Sequence, residues 1–308
     1  MLVEKFQACA ARIATVIVGK DLQIRQSLTC LLAGGHLLIE DAPGVGKTTL
    51  AHAIAISLGL PFRRIQFTSD LLPSDVIGVS VYERTSGQFT FHPGPIFSEV
   101  LLADEINRAS PKTQSALLEA MEESQVSIDG MARPLPQPFF VIATQNPLHQ
   151  IGTFPLPESQ LDRFLMCISL GYPDHAAERA LLAGEPRRDM LKAMAALSRA
   201  SDLLAAQEAV KQVYCSDPLL DYVQALLAHT RSSGAYVDGL SPRAGIALLA
   251  AARAWAWLDR RDHVIPEDVQ NVAPGVVGHR LRAATRDGGR ALNGRELSTN
   301  LLQAVPLP

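Results

Sequence analysis

Between Ile39 and Thr49 the chain reads Ile-Glu-Asp-Ala-Pro-Gly-Val-Gly-Lys-Thr-Thr, residue types and spacing suited to holding a phosphate. A short apolar run from His36 to Ile39 precedes them and suits a buried strand. Leu50-Ala51-His52-Ala53-Ile54-Ala55 follows and suits a helix. A strand, a glycine-rich turn ending in Gly-Lys-Thr and a helix form the P-loop arrangement. The turn through Pro43, Gly44, Val45 and Gly46 into Lys47, Thr48 and Thr49 aims backbone N–H groups at an anion. The helix dipole favours negative charge at the same place. Lys47 would reach the β- and γ-phosphates of a nucleoside triphosphate, and the Thr48 hydroxyl would help hold Mg²⁺. Asp41 stands where the first glycine of the pattern is usual. Pro43-Gly44 and Gly46 still supply the tight turn, so Asp41 reads as a tolerated variant.

About sixty residues on, the apolar run Val100-Leu101-Leu102-Ala103 ends in Asp104-Glu105. An aspartate at the end of a strand can hold Mg²⁺ through water, and the next carboxylate can orient or deprotonate an attacking water. Two acids at a strand end are in isolation equally a solvated terminus; the P-loop upstream decides for the functional reading. Asn146 ends the run Phe139 to Ala143 and Thr144-Gln145, where it could bond both a γ-phosphate and that water. Before Pro147 it also suits a plain turn.

These groups need a scaffold. Apolar positions Val3, Phe6, Cys9, Ala10, Ile13, Val16 and Ile17 recur at helical spacing over residues 2–18, and a second amphipathic helix runs from about Asp21 to Leu32. Strand candidates are the run before the P-loop, Arg64–Phe67, Glu99–Glu105, Phe139–Ala143 and Leu165–Leu170. Five short apolar strands separated by helices predict a mainly parallel sheet covered on both faces. Asp70–Asp75 reads as irregular, and Ser110-Pro111 as a helix start. Two hairpins are expected, at about 79–91 around Thr85-Ser86-Gly87 and at about 126–138. From about Pro173 strand signals fade, and alanine- and leucine-rich helices begin at Asp217-Pro218, Ser241-Pro242 and Pro266. The expected division is a core over 1–180 and a helical domain over 181–308, with the boundary near 173–195. The tail after Arg286, with Gly288-Gly289, Gly294 and Pro306, shows no period and is expected to be flexible.

At 308 residues the chain suits two domains. A formal charge of −3 gives no bulk attraction to nucleic acid or anionic membrane. Cys9, Cys30, Cys167 and Cys215 show neither metal spacing nor a paired framework, so reduced thiols in a cytoplasmic protein are expected. The longest apolar stretches, such as Ile246–Leu258, are broken by Arg253 and too short to span a bilayer. His92, His149 and His279 show no metal-partner spacing, and Trp255 and Trp257 suit helix packing.

Five runs in order carry a resemblance: Pro43–Thr48, Leu101–Ala109, Ile142–Pro147, Leu161-Asp162-Arg163-Phe164 and Leu240-Ser241-Pro242-Arg243-Ala244. Together they resemble the MoxR family of AAA+ ATPases, over roughly residues 15–282. The resemblance implies an α/β fold: an αβα core whose five strands lie in the order 5-1-4-3-2, then an all-α lid. It also implies assembly into a ring, usually a hexamer, with ATP between core and lid and facing a neighbour. By position, Lys47 and Thr48 are the Walker A pair, Asp104 and Glu105 the Walker B pair, Asn146 sensor 1, Arg163 the arginine finger and Arg243 sensor 2. Val18 and Gly19 fall where adenine is enclosed. For Arg163, a local ion pair with Asp162 is the plainer alternative. Arg243 sits in the first turn of its helix, where the dipole disfavours a cation and an anionic partner is implied. Whether it serves its own subunit or a neighbour is open at this level, and Arg108 has no assigned role.

The two hairpins match the helix-2 insert and pre-sensor-1 hairpin of this clade, which face the ring's pore. They carry few positive charges, chiefly Arg84 and Arg133, which disfavours a nucleic-acid motor. The expected function is Mg²⁺-dependent ATP hydrolysis that remodels a partner protein, for complex maturation or metal insertion, often a protein with a von Willebrand factor A domain. The alternatives are a nucleotide-gated scaffold with very slow turnover and a DNA-acting ring.

Overall fold

A computed structural model of the protein describes residues 1–146, 152–284 and 292–307. Pro147, His149 and Gly288-Gly289 lie outside them. The chain opens with α1 (Leu2–Val16) and α2 (Asp21–Leu32), then β1 (Leu37–Glu40), α3 (Lys47–Ser57) and β2 (Phe62–Gln66). A short helix α4 (Pro73–Ile77) leads to the hairpin β3 (Gly78–Glu83) and β4 (Gln88–Pro93). Next come β5 (Val100–Asp104), a single 3-10 turn at Ile106–Arg108, and α5 (Pro111–Glu123). A second hairpin, β6 (Gln125–Ile128) and β7 (Met131–Pro134), precedes β8 (Phe140–Gln145), α6 (Glu158–Leu161) and β9 (Met166–Ile168).

The five central strands are all parallel and lie in the order β2-β5-β8-β1-β9, which is 5-1-4-3-2 when only these strands are counted. Alternation along each strand explains the two covered faces, because successive side chains point to opposite sides. Leu37, Ile39, Val100, Leu102, Phe140 and Ile142 join the core beneath α1–α3, whereas Leu38, Leu101, Ala103, Val141 and Ala143 join the core beneath α5. Helix α5 starts where serine and proline place it: Ser110 Oγ accepts from Thr113 N at 3.4 Å, with Pro111 in the first turn.

The remainder is helical: α7 (His175–Ala183), α8 (Arg187–Ala193), α9 (Ala200–Lys211), α10 (Asp217–Ser232), α11 (Pro242–Leu258), α12 (Pro266–Val277) and α13 (Gly294–Ala304). Helices α8–α13 share one continuous apolar core with α1–α3. Trp255 is buried beneath the Arg25 guanidinium, 3.9 Å from the ring centre, and Trp257 meets Phe6 edge-on. No described helix is long and apolar enough to cross a membrane.

Two expectations fail. The irregular stretch at 70–75 contains the start of α4, where Leu72 N–H donates to Asp75 Oδ2 at 2.8 Å and Pro73 opens the first turn. The tail is not frayed at 294–304. Asn293 and Glu296 cap α13 reciprocally, at 2.9 and 2.8 Å, and Leu297 and Leu301 are buried against the helical domain.

Candidate active site

The P-loop joins the carboxyl end of β1 to α3. Gly44 and Gly46 adopt positive φ, 86° and 98°, the left-handed region open to glycine. Asp41 does not, so a side chain is tolerated where the pattern usually has its first glycine. That side chain is fully engaged: Oδ1 accepts from Ala42 N at 2.8 Å, and Oδ2 from Ser169 Oγ at 2.9 Å and Gly171 N at 2.6 Å. Asp41 thus ties the loop to the segment that leaves β9 for the helical domain.

Lys47 is 7 % exposed, and burial lowers its pKa. Its ammonium donates to Asp41 O at 2.5 Å, Ala42 O at 3.3 Å and Asn146 Oδ1 at 3.1 Å. Asn146 Nδ2 donates in turn to Glu105 Oε1 at 3.3 Å, and Asn107 Nδ2 holds the Asn146 carbonyl at 3.2 Å. The start of α3 and the ends of two strands therefore meet in one polar line, Lys47–Asn146–Glu105. Glu105 itself has φ 56°, a left-handed conformation fixed by its N–H donating to Thr144 Oγ1 at 2.9 Å. Arg108, unassigned from sequence, pairs with Glu105 Oε2 at 2.8 Å.

Asp104 is buried at the end of β5. Thr144 Oγ1 donates to its Oδ1 at 2.6 Å, and Thr48 Oγ1 to its Oδ2 at 3.3 Å. The Thr48 hydroxyl and the Asp104 carboxylate thus bring a neutral and an anionic oxygen together, the donor chemistry a hard divalent cation takes. Sequence reasoning missed a third partner. Arg64 of β2 donates to Asp104 Oδ2 from Nε at 3.1 Å and Nη2 at 2.7 Å. Thr49 follows Thr48 in the first turn of α3. Gly19, with φ 71°, lies so close to Ala177 of α7 that a Cβ there would sit 3.0 Å from the alanine methyl. Val18 and Gly19 therefore adjoin the start of the helical domain.

Arg163 and Arg243 do not join this group. Both turn to one carboxylate near the end of α5: Arg163 Nη2 lies 3.0 Å from Glu122 Oε2, and Arg243 Nη2 bonds Glu122 Oε1. The plainer alternative, an Arg163–Asp162 pair, is not formed among the described residues: Asp162 Oδ1 accepts from Arg280 Nε at 2.6 Å. The Arg280 side chain is 6 % exposed and also donates to the carbonyls of Asp162, Phe164 and Leu165. These groups gather at the amino ends of the strands. Met121 O bonds the His36 ring at 3.2 Å, and Leu165 N donates to His36 O at 2.9 Å. From His36 to Asp41 the extended chain rises roughly 16 Å. The arginine pair and the Lys47 loop thus occupy opposite ends of β1.

His279 is half-buried, with its ring 3.2 Å from Phe164 O, whereas His92 is exposed on β4. Cys30 is buried and Cys167 half-buried, their thiols pushed up by desolvation, and the four cysteines are free thiols.

The chain is similar to known proteins. Residues 36–166 match the model of the ATPase family associated with various cellular activities (AAA), and residues 228–298 match that of the AAA lid domain. The chain is similar to YeaC of Bacillus subtilis, with 45% identity over 294 residues, 95% of this chain and 92% of that one. It is 41% identical over 303 residues to Chaperone MoxR1 of Mycobacterium tuberculosis, covering 95% of this chain and 80% of that one. The crystal structure of a candidate ATPase from Cytophaga hutchinsonii has a TM-score of 0.88 to it at 36% identity, over 100% of this chain and 96% of that one.

Proposed function

Because the chain belongs to the MoxR family of AAA+ ATPases, we propose that its chaperone-like ATPase activity remodels a partner protein, driven by Mg²⁺-dependent hydrolysis at sites shared between subunits of a ring. ATPase activity and nucleotide binding come with the family. The observation that carries the mechanism is the line Lys47–Asn146–Glu105, with Thr48 and Asp104 beside it.

In this reading the turn from Pro43 to Thr49 cradles the triphosphate, with Val18 and Gly19 against the adenine. Lys47 exchanges its carbonyl partners for phosphate oxygens. Asn146 then relates the phosphate to Glu105, which aligns and deprotonates the attacking water. Thr48 and Asp104 would hold Mg²⁺, which supplies neutralisation of phosphate charge. The remaining chemistry is positioning and charge, as phosphoryl transfer requires.

Arg163 and Arg243 serve a neighbour's nucleotide in this proposal. Their site at the far end of β1 from Lys47 supports that role over one within the same subunit. A ring, taken as a hexamer, would bring them to the next subunit's triphosphate. The hairpins support a protein client. Ser80 Oγ bonds Asp129, and the Arg133 guanidinium covers the Phe91 ring at 4.0 Å, which joins the two hairpins. They expose Val79, Val81, Tyr82, Phe89 and Met131, an apolar surface unlike a nucleic-acid track. A client with a von Willebrand factor A domain is proposed from the family resemblance.

Steady-state ATP turnover of the purified chain across roughly a hundredfold range of protein concentration tests the proposal. Turnover per subunit should rise steeply with concentration and vanish in Glu105→Gln. Turnover per subunit that is constant across the range would overturn the shared site.

A further inference from the structure

We propose that Glu122 is a positioning residue: its carboxylate yokes Arg163 and Arg243 into one anion receptor, presented to the triphosphate bound by a second copy of this chain. The inference rests on the inter-subunit reading above and adds to it a residue that no motif marks.

One carboxylate serves two guanidinium groups, Oε2 to Arg163 and Oε1 to Arg243, so the cluster carries one surplus positive charge. Each arginine meets Glu122 through Nη2, and a guanidinium has five N–H donors, so the fork of each has further donors for a second anion. The Arg163 and Arg243 side chains are 27 % and 52 % exposed, open to a partner. Without the carboxylate, two like charges would stand side by side and drive each other apart.

The placement runs against local preference twice. Glu122 occupies the last turn of α5, where the dipole disfavours an anion, and Arg243 the first turn of α11, where it disfavours a cation. Each charge offsets the other's unfavourable position. The Arg243 guanidinium in turn holds the Glu122 carboxyl below its ordinary range.

The mount is rigid on each side. Arg280 occupies Asp162, which leaves Arg163 to Glu122. Gln160 Nε2 donates to Ser115 Oγ at 3.1 Å, tying the segment before Arg163 to α5, and the His36 ring anchors Met121. The receptor is thus assembled before any neighbour arrives, which lowers the ordering cost of engaging a phosphate.

The test uses full-length Glu122→Gln, isosteric but uncharged, with three readouts. Binding of a fluorescent ATP analogue should match the parent protein, because the variant's own P-loop is intact. At saturating ATP and saturating protein, kcat should fall at least about tenfold while KM for ATP holds. Mixing with Lys47→Ala should restore turnover, since the Lys47→Ala subunits supply intact arginine pairs to intact P-loops. Glu122→Asp, which keeps the charge on a shorter arm, should recover part of kcat, and it carries the same test should Glu122→Gln not fold. Normal kcat in Glu122→Gln, or a loss that Lys47→Ala does not complement, overturns the proposal. Arg163→Ala mixed with Lys47→Ala separates the two levels. If that pair complements and Glu122→Gln fails its test, only the role of Glu122 falls; if that pair does not complement, the inter-subunit reading falls with it.

Discussion

Arg64 reaches from β2 to β5 and sets two of its nitrogens on a single oxygen of Asp104, at 3.1 and 2.7 Å. A positive group therefore stands on the carboxylate oxygen that also meets the Thr48 hydroxyl. Arg64 and a divalent cation would compete for that oxygen. The Arg64 side chain is about half exposed, so the pair contributes on the order of 0–1 kcal/mol. Arg64→Ala should then tighten Mg²⁺ binding by roughly two- to fivefold, since about 1.4 kcal/mol is tenfold. Titrating Mg²⁺ against binding of a fluorescent ATP analogue measures it. An unchanged or weakened Mg²⁺ midpoint would show that Arg64 supports the cation site instead of competing for it.

The opposite ends of β1 make a second prediction. Arg163→Ala should bind ATP normally and lose turnover by roughly 10³-fold or more. Arg163→Lys should not recover it, because an ammonium lacks the planar fork that meets a phosphate. A Lys47→Ala partner should restore part of the activity in mixed assemblies. Loss of ATP affinity in Arg163→Ala would instead place the arginine at its own subunit's nucleotide.

Asp41 predicts a stability effect separate from nucleotide binding. Its carboxylate accepts from Ser169 Oγ and Gly171 N, bonds that a glycine in this position cannot make. Charge-assisted bonds of this kind contribute about 1–3 kcal/mol, less where partly solvated. Asp41→Gly should therefore lower unfolding free energy by about 1–2 kcal/mol in urea, and Asp41→Asn by less. ATP affinity should stay within about threefold, because Gly44 and Gly46 carry the left-handed turns. A collapse of ATP affinity in Asp41→Gly at unchanged stability would contradict this.

How far these features are legible in sequence depends on the range of the contact. The five strands are legible because short apolar runs are local patterns; Asp104, Glu105 and Asn146 stand where two of these runs end, and Lys47 ends the glycine turn that follows a third. Arg64 is not legible: on an edge strand beside exposed Arg63 and Gln66 it looks like any solvated cation. Glu122 is hidden for a similar reason, as one acid among Glu119, Glu122 and Glu123 on one helix. The preference of Arg163 for Glu122 over its neighbour Asp162 depends on Arg280, more than a hundred residues away. The tail helix carries a local signal, the Asn293–Glu296 capping box followed by Leu297 and Leu301 one turn apart, but the glycines around its start favour a loop.

That tail helix is a structural element by its burial. Leu301 is 1 % exposed against the helical domain. Leu301→Ala should cost about 2–5 kcal/mol in unfolding free energy, as truncation of a buried leucine does. Chemical denaturation gives the value directly. A cost below about 0.5 kcal/mol would mean that α13 docks loosely.

His36 sets the direction in which pH acts on stability. Val141 N–H donates to its Nδ1 at 3.1 Å, which makes Nδ1 an acceptor, so the ring's one proton sits on Nε2 and faces Met121 O at 3.2 Å. A second proton would have to enter Nδ1 against the Val141 N–H. Burial pushes the pKa down to about 4, against the Met121 carbonyl, which favours the protonated ring. The unfolded chain binds the proton near pH 6.5 and the folded chain does not until about pH 4, so stability is full above 6.5 and falls as pH drops between the two. The slope contributed is at most about 1.4 kcal/mol per pH unit. His279, likewise held well below its ordinary value by desolvation, adds a fall of the same sign. Urea denaturation at pH 7, 6 and 5 should therefore show decreasing stability, and His36→Gln should flatten the curve while leaving the part due to His279. A His36→Gln curve as steep as that of the parent protein would mean that the ring takes its second proton without cost to the fold.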